Sequence, residues 1–209
     1  MESQEASIAI VDYGAGNLTS VKNAFAALGV ETVVTRDPAV VAAAARVVFP
    51  GVGAALSAME SLRSLGLESV VKDAAASGRP FLGICLGMQI LFEHSEEDGG
   101  VATLGVLPGR VRRFPKVPGV KVPQIGWNSV APNHEPRTPK HEPRTTNHDF
   151  YYFVHSYYAE KTADTALVAE YAGVEFSAMV RRGRLWACQF HPEKSGRVGL
   201  KLLSDWLSI

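Results

Sequence analysis

The stretch Phe81-Leu82-Gly83-Ile84-Cys85-Leu86-Gly87-Met88-Gln89 decides how the chain is read. An apolar strand-like run ends in Gly-x-Cys-x-Gly and passes directly into a helical pattern. Gly83 and Gly87 let the backbone turn sharply around Cys85, the strand-to-helix geometry of a nucleophile elbow with sulfur in place of oxygen. Such a turn presents the side chain at the C-terminal edge of a parallel sheet. It also sets the sulfur at a helix N-terminus, where backbone N–H groups favour the thiolate. A thiolate needs a group to manage protons, and a histidine held by a carboxylate meets that need. His191-Pro192-Glu193 supplies both. On an extended segment residues two apart project to the same side, so Glu193 can orient the imidazole while the imidazole faces the sulfur. A cysteine ending a buried strand is, taken alone, more often a small core hydrophobe. Cys188, in an apolar run with no glycine turn after it, fits that description. Cys85 is set apart by the flanking glycines, the following helix and the downstream His-x-Glu.

Upstream of the elbow, strand-like and helix-like segments alternate. Residues 7–11 read as an apolar strand closed by Asp12-Tyr13-Gly14-Ala15-Gly16. Asn17 caps a helix running to about residue 28, and Gly29 stops it. A second strand covers 31–35, and Asp37-Pro38 opens a short helix. A third strand, 46–49, ends in Pro50-Gly51-Val52-Gly53, and helical patterns fill 54–77 before Gly78-Arg79-Pro80. This alternation predicts a mostly parallel sheet covered on both faces. Downstream, short strand-like runs at 110–114, 124–130, 150–158, 166–172, 176–181 and 185–190 are separated by Pro and Gly. They predict a mixed or antiparallel extension. A final amphipathic helix over 195–207 carries Val198, Leu202, Leu203 and Trp206 on one stripe.

Length and composition set the bounds. A chain of 209 residues suits one domain, 1–209, with a sizeable core. Twenty-one basic and 21 acidic residues give no net charge, so neither nucleic acid nor an acidic membrane is an expected partner. Two cysteines do not make a disulfide framework and suit a reducing compartment. The opening residues show no basic and apolar signal pattern, and no apolar run reaches the ~20 residues of a membrane span. A cytoplasmic protein is expected. Residues 131–148 stand apart: the segment is rich in Pro, His, Arg and Thr and repeats His-Glu-Pro-Arg-Thr. His134, His141 and His148 recur every seven residues, but the prolines break any helix that could align them as metal ligands. The segment reads as a mobile polar insert, with no metal expected.

With these residues in view, the chain resembles the class I, triad-type glutamine amidotransferases. Within them it is similar to the glutaminase subunits of imidazole glycerol phosphate synthase. The resemblance rests on Asp12-Tyr13-Gly14-Ala15-Gly16-Asn17, Pro50-Gly51-Val52-Gly53, the elbow, and Gly126-Trp127-Asn128. Tyr152-Phe153-Val154-His155-Ser156-Tyr157 and Gln189-Phe190-His191-Pro192-Glu193-Lys194-Ser195-Gly196 complete it. It covers almost all of the chain outside 131–148, and implies a flavodoxin-like α/β fold. It also implies glutamine hydrolysis by Cys85, His191 and Glu193, without a cofactor. The oxyanion would meet the backbone N–H groups of Leu86 and Val52. Gly53, Gln89, Glu97, His155, Ser156 and Tyr157 would surround the substrate, Glu97 from within an acidic run and His155 from a strand where a structural role suits it better than a catalytic one. Trp127, Asn128, Tyr152 and Lys194 would face a separate (β/α)8-barrel subunit, because a barrel needs about 250 residues of its own. That subunit would add the ammonia to phosphoribulosyl-formimino-aminoimidazole-carboxamide ribotide, giving imidazole glycerol phosphate and aminoimidazole-carboxamide ribotide. Core packing is the competing role for Trp127.

Three other readings compete. A glutaminase subunit of another amidotransferase, such as pyridoxal phosphate synthase, is disfavoured by the motifs at 126–128 and 152–157. A peptide-cleaving cysteine hydrolase has no need of the 50–53 loop together with the glutamine-binding set. A non-catalytic module has no need to keep Cys85, His191 and Glu193 together.

Overall fold

The structure is a computed structural model and describes residues 8–133 and 149–209. Its main sheet has eight strands. In spatial order they are Thr32–Thr35, Ile8–Val11, Arg46–Gly51, Phe81–Cys85, Leu185–Cys188, Val174–Arg182, Thr165–Tyr171 and Ala131–Pro132. The first five are mutually parallel. The last three continue the sheet antiparallel. The inner parallel strands are apolar at nearly every position because both faces are covered, whereas the edge strand Thr32–Thr35 leaves Val33 and Val34 exposed. Alternate side chains go to opposite cores. Ala9, Val11, Val47 and Phe49 pack with Met59, Leu62 and Val71 on one face. Ile8, Ile10, Val48, Leu82 and Ile84 pack with Phe25, Leu203 and Trp206 on the other.

The helices follow the capping chemistry of the sequence. Asn17 accepts from the Ser20 N–H at 3.1 Å and opens Leu18–Ala27. Asp37 accepts from the Ala39 N–H at 2.8 Å and opens Pro38–Ala43. The helical pattern over 54–77 divides at Gly66, which has φ +66°, into Ala55–Ser64 and Glu68–Ala76. The final helix is Gly196–Leu207, and its expected stripe buries Leu202, Leu203 and Trp206.

The second half departs from a simple extension in three ways. Leu185–Cys188 lies parallel beside the elbow strand, with Cys188 opposite Ile84, so it joins the parallel core. The strand expected over 150–158 breaks at Ser156. Phe150–His155 pairs with Gln124–Ser129 in a two-stranded ribbon, whereas Tyr157–Ala159 joins a separate four-stranded sheet. Ala131–Pro132, the start of the expected polar insert, pairs with Leu167 and Val168 at the edge of the main sheet. The rest of that segment from residue 134, including His134, His141 and His148, lies outside the described residues. Among the described residues, no helix is long and apolar enough to cross a membrane.

Candidate active site

Cys85 ends the elbow strand with φ +56° and ψ −112°, a backbone state that non-glycine residues rarely adopt. The flanking glycines have a different purpose from the one their sequence suggests. Neither Gly83 nor Gly87 takes a positive φ; the turn is carried by Cys85 itself. Both glycines instead permit close approach. A Cβ on Gly87 would collide with the Phe49 carbonyl, and one on Gly83 would press on the Gly87 carbonyl and Ala187. The strained nucleophile is therefore held by backbone packed on either side.

His191 arrives from the neighbouring strand. Because Cys188 stands opposite Ile84, the chain leaves the sheet beside Cys85. The Tyr152 carbonyl accepts from the His191 N–H at 2.9 Å, and Ser195 Oγ donates to the His191 carbonyl at 2.6 Å. Glu193 reaches the imidazole Nδ1 at 2.8 Å, through a 3₁₀ turn over Pro192–Lys194 rather than an extended segment. The proline start and the helical turn bring the carboxylate back under the ring. Both side chains are almost fully buried. Nε2 of His191 is buried without a closed hydrogen bond. Burial alone would lower the imidazole pKa, but the Cys85 sulfur and the Glu193 carboxylate outweigh it and raise the value to about 10. The ring thus carries a proton at neutral pH.

A cavity of about 280 Å³ opens at Cys85. Its walls include Val52, Gly53, Leu86, Gln89, Glu97, His155, Ser156 and Tyr157, gathered from four separate stretches of chain. Leu86 is the first residue of a short helix, so its N–H has no acceptor within that helix. The Val52 N–H acts on the phenol oxygen of Tyr13. That oxygen is buried and closes no hydrogen bond. Burial, then the neighbouring Cys85, raises the Tyr13 pKa, with the Val52 N–H opposing them.

Glu97 differs from its acidic neighbours. Its carboxylate accepts from the Ala55 N–H at 2.7 Å, at the start of helix Ala55–Ser64, and burial raises its pKa. His155 has its Nδ1 2.8 Å from the Tyr157 carbonyl and its Nε2 3.0 Å from the Gln124 side chain. Burial lowers its pKa to about 4, so the ring is neutral. A neutral ring engaged at both nitrogens is a strut of the cavity wall. Cys188 is fully buried, with its thiol pKa pushed up by burial. Among the described residues, no cluster of three or more His, Cys, Asp or Glu could hold a metal ion.

The outer face of the two-stranded ribbon is apolar and open. Trp127 is 57% exposed, Ile125 65% and Phe150 55%, which rules out core packing for Trp127. Tyr152 lies across from Trp127 with ring centroids 6.3 Å apart, and the Lys194 ammonium sits over the Tyr152 ring. Asn128 turns inward, donating to the Glu170 carbonyl at 3.0 Å.

This fold and site define a triad-type amidotransferase, and the chain belongs to the family described as glutamine amidotransferase class-I, whose model matches residues 9–208. Among curated relatives it is similar to "Imidazole glycerol phosphate synthase subunit HisH" of Aromatoleum aromaticum, 52% identical over 96% of this chain and 97% of that one. The protein of the same name from Herpetosiphon aurantiacus is 47% identical over 97% of this chain and 94% of the relative. Among solved structures, a chain described as "Crystal structure of glutamine amidotransferase" aligns with TM-score 0.71 at 20% identity, covering 96% of this chain and 97% of that one. "Structure of PurLQS from Thermotoga maritima" aligns with TM-score 0.69 at 17% identity, covering 97% of each chain. These two likenesses concern the fold.

Sequence reading passed over four residues around the nucleophile. Pro123 and Val154 line the cavity, Tyr13 lies beneath the 50–53 loop, and the Gln189 amide donates to the Cys85 sulfur at 3.7 Å. Only Gln189 carried a signal: it lies two residues before His191 on the same run, where alternation places it on the nucleophile's side.

Proposed function

We propose that this chain is the glutaminase subunit of an imidazole glycerol phosphate synthase, working in histidine biosynthesis. It hydrolyses L-glutamine to glutamate and ammonia and passes the ammonia to a separate synthase subunit. The observation that carries the reading is one meeting point: a strained cysteine, a buried His–Glu pair and a cavity of about 280 Å³ at one sheet edge.

The chemistry is that of an elbow cysteine beside a buried His–Glu pair. The Cys85 thiolate adds to the side-chain amide carbon, and the carbonyl oxygen becomes an oxyanion beside the Leu86 and Val52 N–H groups. His191 gives its proton to the departing nitrogen, the C–N bond breaks, and ammonia leaves a glutamyl thioester on Cys85. The imidazole, now neutral, takes a proton from water as the water oxygen attacks the thioester carbon. The C–S bond then breaks, which releases glutamate and restores the thiolate. Glu193 holds the ring in the tautomer with Nδ1–H and balances its charge. Gly53, Gln89, Glu97, Ser156 and Tyr157 hold the substrate's polar ends, with His155 bracing the wall.

The partner is a (β/α)8-barrel cyclase that docks on Trp127, Tyr152 and Lys194, with Asn128 shaping the ribbon beneath them. An exposed aromatic face beside the mouth of the site suits a water-excluding contact. The setting is cytoplasmic. The test is glutamine-dependent and ammonium-dependent synthesis in a reconstituted complex. Cys85→Ala should abolish the first and leave the second intact. Retained glutamine-dependent turnover would overturn the assignment.

A further inference from the structure

Gln189 is fully buried, one residue past the strand that flanks the elbow. Two contacts of its own, and one of Gln89, tie it to the site. Gln89 Nε2 lies 2.8 Å from the Tyr157 carbonyl oxygen and 2.8 Å from Gln189 Oε1. Gln189 Nε2 lies 3.7 Å from the Cys85 sulfur. The direction of every bond follows from the Tyr157 carbonyl, which can only accept. The Gln89 atom facing it must be the amide nitrogen. That same nitrogen faces Gln189, so Gln189 turns its oxygen toward Gln89. Its NH₂ group is then the end that faces the sulfur. His155 Nδ1, 2.8 Å from the same carbonyl, occupies its other lone pair and reinforces the order. Flipping Gln89 would set oxygen against oxygen, and flipping Gln189 would set donor against donor and its oxygen against the sulfur.

We propose that Gln189 is a positioning residue for the nucleophile: its amide is an oriented donor to the Cys85 thiolate, locked through Gln89 by the Tyr157 carbonyl. A donor aimed at sulfur favours the charged form and restrains its rotation about the strained turn. A second consequence concerns substrate. Both Gln89 amide hydrogens are spent inside the protein, so Gln89 offers the cavity only its oxygen. A ligand group that contacts it must therefore be a donor. This deepens the glutaminase reading and rests on it. Four ionisable groups also act around Cys85, namely His191 with Glu193, Tyr13 and Cys188. None is altered by changing Gln189.

The test follows alkylation of Cys85 by iodoacetamide in the whole chain across pH, with the labelled cysteine located by mass spectrometry. This readout needs neither glutamine turnover nor a partner, so it stands apart from the test of overall function. Gln189→Met keeps an unbranched side chain of similar length without a donor. It should move the alkylation midpoint upward by about one pH unit and slow labelling at neutral pH ~3–10-fold. Gln89→Met leaves Gln189 in place but removes its lock, and should move the midpoint in the same direction by less. A single cooperative thermal transition in the Gln189 variant, with Tm close to wild type, shows that the fold is intact. A wild-type midpoint in both variants would overturn the proposal, as would a downward shift in either. If Gln189→Met does not fold, the Gln89→Met midpoint decides alone.

Discussion

Replacing Gly51 by alanine tests how tightly the 50–53 loop is seated against the nucleophile. A Cβ at Gly51 would point at the Tyr13 hydroxyl and fall most of an ångström inside the 3.0 Å that real Cβ atoms keep. It would also press on Leu86 Cβ at 3.0 Å and the Gly87 nitrogen at 3.1 Å. Tyr13 cannot withdraw easily: it is 2% exposed, and its ring packs on Phe49 with centroids 5.6 Å apart. The loop must lift instead. Gly51 stands opposite Cys85 in the parallel ladder, so lifting displaces the neighbouring Val52 peptide, whose N–H is proposed to meet the oxyanion. Losing one oxyanion donor costs on the order of 10²–10³ in rate. The strain itself costs about 1–3 kcal/mol of stability. Gly51→Ala should therefore lower kcat for glutamine ~10²-fold in the complex, with a smaller change in glutamine binding and a modest fall in Tm. Tyr13→Phe removes the colliding oxygen. That oxygen closes no hydrogen bond and meets only the approach of the Val52 N–H, so the single variant should cost less than about 1 kcal/mol of stability. The double variant should recover at least ~10-fold of the lost kcat, a coupling read from a double-mutant cycle. Additive effects of the two substitutions, or wild-type kcat in Gly51→Ala, would refute the reasoning.

Three further outcomes are expected. Gly87→Ala sets its Cβ more than an ångström inside the 3.0 Å limit against the Phe49 carbonyl, which cannot yield as a side chain can. It should be the more damaging elbow substitution, costing upwards of ~3 kcal/mol in denaturant unfolding, and Gly83→Ala should cost less. Trp127→Ala should weaken binding of the proposed synthase partner by more than ~1 kcal/mol in titration calorimetry while leaving Tm unchanged, since the ring is exposed. Finally, His155 is neutral when folded, with a pKa of about 4 against 6.5 in the unfolded chain. The unfolded chain takes up the proton first, so this group's contribution is present above 6.5 and lost as pH falls toward 4. Wild-type stability should fall across that window by up to about 1.4 kcal/mol per pH unit from this residue, and His155→Gln should flatten that limb.

What could be read in the sequence was what local chemistry specifies. Asn17 and Asp37 announced their helices, the alternation of strand-like and helix-like runs announced a parallel sheet, and the Gly-x-Cys-x-Gly run announced the elbow. What could not be read was set by register and by space. Nothing in Leu185–Cys188 tells whether it runs parallel beside the elbow strand or antiparallel farther out; the neighbour decides. The break at Ser156 carries no glycine or proline, because two sheets compete for the same run of aromatics. Gly83 and Gly87 were legible as glycines that matter. That they make room for the Phe49 carbonyl and Ala187, while Cys85 bears the strain, needed the packing. The Gln89–Gln189 relay joins residues a hundred positions apart and has no local signature.

The most direct test of the central claim is the intact mass of the chain, acid-quenched during turnover of glutamine by the reconstituted complex. The account predicts a transient glutamyl adduct on Cys85, absent from Cys85→Ala and lost as glutamate accumulates. An adduct on Cys188, or turnover at full rate with no covalent species on Cys85 at any quench time, would contradict it.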